Sequence, residues 1–235
     1  MTITDEIRAR MRELADEERA RVLKKFFKTG PGEYGEGDLF LGVTIPELRM
    51  LAKQYGSIRL KEVLALLASK YHEERMLALL MLIHAYSKGD GPAKEKIYEL
   101  YLKNTRFINN WDLIDLSAPR IVGDFLFTRS REPLYTLARS ASLWERRIAI
   151  MSTFHFIKKA DYSDSLKISE VLLGDREDLI HKAVGWMLRE IGKSDLAAEE
   201  SFLREHYRMM PRTMLRYAIE RFPEPKRQMY LKGLV

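Results

Sequence analysis

When the longer helical stretches of the chain are aligned on their apolar patterns, Arg75, Trp111, Arg147, Lys182 and Arg216 fall at equivalent points, at successive spacings of 36, 36, 35 and 34 residues. Each interval holds about one helix pair. A repeat of this length cannot close a core by itself, so neighbouring pairs must stack and bury one continuous apolar seam, with one helix of each pair lining an inner surface. The spacing predicts an all-α fold, an α-helical solenoid, with an irregular helical bundle as the alternative.

The rest of the chain agrees with that reading. Apolar periodicity predicts two short helices between Asp5 and about Phe27, carried by Ile7, Met11, Leu14, Ala20, Val22, Leu23 and Phe26. The stretch from Lys28 to Asp38 is rich in glycine and acidic residues and reads as an ordered loop. Leu39–Val43 could pass for a strand, but no partner strand follows, so it is expected to be a buried connection. Thr44, Pro46 and Glu47 then mark a helix start. Helices are expected at about 46–54, 58–69, 72–87, 92–103, 109–127, 133–140, 143–159, 163–173, 177–193, 195–208, 211–222 and 225–233. None of the breaks between them is long enough to be a linker, which makes 1–235 a single domain with 1–45 as an atypical N-terminal cap.

One stretch is unusual. Asn109–Pro119 places Trp111 and Asp115 one helical turn apart, on the same face of an otherwise apolar helix. Burying that carboxylate requires a dedicated partner, and Arg120 and Arg147 are the candidates for one. Pro119 cannot continue the hydrogen-bond ladder and is expected to kink or interrupt the helix. Further on, Ile180, Ala183, Val184, Met187, Leu188 and Ile191 make a core-facing stripe, while Lys182, Trp186, Arg189 and Lys193 make a separate one. An indole within a line of cations is badly placed for burial, so Trp186 is expected at a surface. Trp144, three residues before Arg147, reads as a packing residue at a helix start.

Charge points the same way. The net charge is +6, and residues 201–235 hold eight Lys and Arg against three Glu. Cations interleaved with indoles suit a nucleic acid, charge meeting phosphate and flat rings meeting sugars or bases. Arg147, Lys182 and Arg189 are therefore the candidate nucleic-acid-binding residues. Zero cysteines exclude thiolate nucleophiles and disulfides, and the five histidines form no close pair at metal-ligand spacing, so neither metal nor cofactor is expected. No apolar run is long enough to span a bilayer, and a cytoplasmic monomer is the expectation.

Four pieces in order carry a resemblance: Asp38-Leu39-Phe40-Leu41-Gly42-Val43 with Pro46 and Arg49, Trp111-Asp112-Leu113-Ile114-Asp115, Trp144-Glu145-Arg146-Arg147, and Lys182 through Glu190. They are similar to the AlkD-like DNA glycosylases, the DNA alkylation repair family built from HEAT-like repeats. The resemblance implies a concave basic groove for duplex DNA and excision of N3- and N7-alkylated purines. It implies Asp115 as the catalytic carboxylate, Trp111 and Trp186 against the lesion's deoxyribose, and Arg147 on a backbone phosphate. Two features depart from the pattern: the Gly30–Asp38 loop is longer than in some relatives, and Phe26 stands where a tyrosine can occur. A non-catalytic repeat protein binding branched or damaged DNA and a protein-binding helical scaffold are the rival functions for such a fold.

Overall fold

In the computed structural model, which describes residues 2–235, helix follows helix along the chain, as the repeat spacing predicts. Among the described residues no strand forms, and the one β-type pairing is an isolated parallel bridge between Leu39 and Tyr71. The chain divides into two compact units, Met1–Leu113 and Ile114–Val235.

The first unit contains α1 (Ile3–Glu13), α2 (Glu17–Phe26), α3 (Ile45–Gln54), α4 (Leu60–Leu67), α5 (His72–Lys88) and α6 (Gly91–Lys103). Its centre is α5, in which every residue from His72 to Leu82 is buried. Helices α3, α4 and α6 pack against it. Such all-round burial is why α5 lacks a polar face, and it forces the charged residues of its first turn to find partners inside the protein. Thr44 starts α3 as expected: its hydroxyl and its backbone N–H donate to the Glu47 carboxylate at 2.6 and 2.7 Å, and these bonds, the hydroxyl's first, pull the Glu47 acid below the usual carboxylate range.

In α2 the apolar residues divide between two faces. Val22 and Phe26 are each 60% exposed, while Ala20, partly buried Leu23 and Phe27 form the stripe that packs inward. Positions 20, 23 and 27 keep the three- and four-residue helical spacing, and residues 22 and 26 lie about 100° away from it. Apolar character alone could not choose between two adjacent stripes. The loop beyond α2 is ordered, as expected: the Gly30 and Gly32 amides donate to Glu33 and Glu36, and Gly35 donates to the Lys28 carbonyl. Leu39–Val43 is a connection with Phe40 and Val43 buried. Within it Gly42, at φ +81°, lies so close to α2 that a β-carbon would stand 2.1 Å from the Asp16 carbonyl oxygen.

Helix α7 (Trp111–Ala118) begins in the first unit and ends in the second. The expected interruption at Pro119 is a π segment, Pro119–Gly123, which runs directly into α8 (Asp124–Leu126). There the Asp124 amide reaches back to the Pro119 carbonyl, five residues away, so the helix continues through a widened turn instead of stopping. The second unit continues with α9 (Glu132–Ala138), α10 (Leu143–Ser152), α11 (Phe154–Ile157), α12 (Ser163–Val171), α13 (Asp178–Ser194), α14 (Leu196–His206), α15 (Arg212–Ala218) and α16 (Glu224–Lys232). The single helix expected at 143–159 is broken at Thr153, where the Ser152 and Thr153 hydroxyls donate back to the Ile148 and Ile150 carbonyls.

Helix α13 is the centre of the second unit, packed by α10, α11, α12, α14 and α15. All six residues of its expected core stripe are buried, together with Gly185. Helix α15 crosses so closely that a β-carbon on Gly185 would meet the Met214 carbonyl oxygen at 2.4 Å and the Tyr217 β-carbon at 2.5 Å. Gly185→Ala is therefore expected to force the two helices apart and to lower stability by about 1–3 kcal/mol, although alanine is the better helix former. Urea unfolding checks this: an unchanged midpoint would mean the crossing is looser than described.

Candidate active site

The five register points all lie within helices: Arg75 in α5, Trp111 at the start of α7, Arg147 in α10, Lys182 in α13 and Arg216 in the last turn of α15. Their side chains do different things. Arg75 and Arg147 are buried, at 3% and 4% exposure, whereas Lys182 is partly exposed.

Asp115 and Arg147 meet in the second unit. The Arg147 Nε–H donates to Asp115 Oδ1 at 2.9 Å and an Nη2–H to Oδ2 at 2.8 Å, a fork matched to both carboxylate oxygens. Another Arg147 donor bonds to the Leu179 carbonyl at 2.5 Å, at the start of α13. Of the two partners the sequence offered for Asp115, the fold uses Arg147. A carboxylate has about four acceptor positions, and the Asp115 side chain retains 15% exposure, so the fork fixes its direction without enclosing it. The same contacts direct the Arg147 guanidinium to protein acceptors, where the sequence reading had assigned it to a phosphate.

Trp111 opens α7, one turn before Asp115, with its amide capped by the Asn110 side chain at 2.8 Å. It is half-buried. Its ring stacks on Phe27 (centroids 5.4 Å apart, planes at 28°) and meets Phe26 edge-on at 6.0 Å. Its indole N–H donates to the Tyr34 hydroxyl at 3.3 Å. Tyr34 comes from the glycine-rich loop, so that loop places a phenol against Trp111 where Phe26 has no hydroxyl to offer.

Trp186, on α13, is also half-buried; its N–H donates to Glu190 at 2.9 Å, and Phe154 lies 5.9 Å from its ring. Lys182 pairs with Asp178 at 2.7 Å, and Arg189 pairs with Glu220. The structure thus joins Asp115 to Arg147, and it gives both Lys182 and Arg189 a carboxylate partner within the second unit. Trp144 is half-buried at the start of α10, in keeping with packing.

Sequence reasoning missed a buried charge cluster in the first unit. His72, 3% exposed, places Nδ1 3.3 Å from Asp38 and Nε2 2.8 Å from Asp112, and Arg75 donates to the same Asp38 oxygen at 2.7 Å. Burial opposes the imidazolium, but the hydrogen bonds to Asp112 and Asp38 outweigh it and raise the His72 pKa to about 9. Burial likewise pushes against the Asp38 carboxylate, and the bonds from His72 and Arg75 hold its pKa below the ordinary value. His72 is therefore a cation at neutral pH, donating at both ends, and its Asp112 bond anchors the first turn of α7 beside Trp111. The histidines had been considered only as metal ligands, and Asp38, His72 and Asp112 lie too far apart in sequence for any spacing rule to connect them.

The protein adopts the helical-repeat fold of solved DNA alkylation repair proteins. One, described as "Predicted DNA alkylation repair enzyme from Enterococcus faecalis", shares 18% identity over 89% of this chain and 97% of its own, with a TM-score of 0.70. AlkD2 from Streptococcus mutans shares 16% identity over 88% of this chain and 99% of its own, at a TM-score of 0.56. No curated protein matches the chain. The sequence profile of one family, described as DNA alkylation repair enzyme, matches residues 7–222, nearly the whole length, and the chain belongs to that family.

Proposed function

We propose that the protein is a DNA glycosylase that releases N3- and N7-alkylated purines from duplex DNA by hydrolysing the N-glycosidic bond. Membership of the family supports a role in DNA alkylation repair and DNA as the partner. The observation that favours excision is the Asp115 carboxylate, held in one direction by the Arg147 fork and placed one helical turn from the partly buried indole of Trp111.

An N3- or N7-alkylated purine carries positive charge, so its departure needs no general acid. The C1′–N bond breaks with its electron pair going to the base, which leaves neutral, and the sugar becomes oxocarbenium-like. What the protein must supply is negative charge near that sugar and a direction for water. Asp115 supplies both: it stabilises the developing cation and receives the proton of the water that adds to C1′. Indole faces favour a cation through their quadrupole, which is the role assigned to Trp111 and Trp186. Arg147 acts as the positioning residue for Asp115. Lys182 and Arg189 are assigned to phosphates, each exchanging its carboxylate partner for DNA.

The reading is tested on a duplex carrying a single N7-methylguanine under single-turnover conditions, with binding measured in parallel from 50 to 200 mM salt. The expected outcome is base release well above the spontaneous rate, with affinity falling steeply as salt rises. Tight binding with only spontaneous release would make this a non-excising DNA-binding member. A flat salt response, or no binding, would point to a protein scaffold.

A further inference from the structure

The first unit contains a cavity of about 170 Å³ that belongs to none of the residues assigned to excision. Its walls are Phe27, Phe40, Val43, Leu48 and Met76, with His72 at one side. A dry apolar cavity of roughly 150 Å³ is known to accept benzene, so this space has room for one aromatic ring. Phe27 and Phe40 are near-parallel at 5.2 Å, and the His72 ring lies against both, at 4.9 and 4.8 Å.

The polar groups around the cavity narrow the ligand class further, because each is already bound. Glu73 accepts the Leu41 and Gly42 amides. Arg19 holds the Gly42 carbonyl and Asp16, and the Thr44 hydroxyl is bonded to Glu47. His72 and Asp112 hold each other. A charged or strongly hydrogen-bonding guest would lose its water without replacement partners. An uncharged guest loses little, and an imidazolium in the wall favours an aromatic face over a saturated one.

We propose that this cavity is a binding site for a small, uncharged, single-ring aromatic molecule. The site is independent of the glycosylase reading. It is nevertheless coupled to Trp111, since Phe27, which lines the cavity, also stacks on that indole.

Benzene is the probe, with cyclohexane, benzoate and benzylammonium as comparators. With Trp144 and Trp186 replaced by phenylalanine, Trp111 is the remaining tryptophan and its emission reports Phe27. Benzene is expected to change that emission saturably and to shift the Val43, Leu48 and Met76 methyl resonances of the unsubstituted protein. Cyclohexane is expected to bind at least about tenfold more weakly, a difference of about 1.4 kcal/mol, and the two ions not at all. Val43→Phe, which fills the space, should abolish the benzene response. No saturable change, or methyl shifts outside the cavity, would overturn the site even if Val43→Phe fails to fold. Equal binding of cyclohexane, or binding of either ion, would overturn the ligand class.

Discussion

Asp115→Asn is expected to reduce base release from N7-methylguanine duplex by about 10²–10³-fold, the scale seen when one preorganised electrostatic group is removed from an active site. Asparagine keeps the shape and one acceptor oxygen, so Arg147 retains part of its partner. What disappears is the charge that stabilises the oxocarbenium-like sugar. Duplex affinity is expected to stay within a few-fold, because Asp115 contributes no attraction to phosphate. The substitution also leaves a buried guanidinium short of its counter-charge, and a buried pair broken outright costs about 3–5 kcal/mol. Folding must therefore be followed by circular dichroism at the assay temperature. Folded Asp115→Asn with full excision would show that the carboxylate is structural and that the chemistry lies elsewhere.

The second large effect concerns stability, and its pH dependence distinguishes charge from packing. His72 titrates at about 9 in the folded protein against an ordinary value of 6.5. Its contribution is therefore complete below pH 6.5 and is lost as pH rises through about 9. The shift corresponds to about 3 kcal/mol. Wild-type stability is expected to fall by that order between pH 6.5 and 9 from this group. His72→Gln is expected to be destabilised by about 3–5 kcal/mol at pH 6, since Asp112 loses its cation and Asp38 keeps only Arg75. The difference between the two proteins should shrink towards pH 9. Chemical denaturation at pH 6, 7.5 and 9 checks this, and a difference independent of pH would mean that His72 acts through shape alone.

Much of the architecture was legible in the sequence because helices leave a periodic record. The α13 stripe from Ile180 to Ile191 was read correctly, since only one face of that helix is apolar. Helix α2 shows the limit: Val22 and Phe26 compete with Ala20, Leu23 and Phe27, and the choice depends on which face α2 turns towards Phe40 and Trp111. The π segment at Pro119 was legible only as a disturbance, because proline removes a donor without stating how the ladder is repaired. Of the site, the unusual pairing of Trp111 with Asp115 could be seen directly. The partners were visible only in part: Arg147 was one of two candidates for Asp115, and nothing joined His72 to Asp112. Arg147 reaches Asp115 across 32 residues and His72 reaches Asp112 across 40, and only folding brings such groups within a hydrogen bond. Arg147 was read as available to phosphate, yet it faces the Asp115 carboxylate inside the protein, a distinction that composition does not carry.

Helix α7 is eight residues long, and it supplies the counter-charge for two buried cations, Asp112 for His72 in one unit and Asp115 for Arg147 in the other. This has a consequence for dissecting the protein. A cut between Leu113 and Ile114, where the two units divide, would leave fragments of three and five residues from this helix, both too short to hold a helical turn unaided. Each carboxylate would then sit on a frayed end, and each cation would lose a fixed partner. The natural boundary for truncation is thus the worst place to separate the halves, and fragments meant to isolate either unit should carry all of Trp111–Ala118.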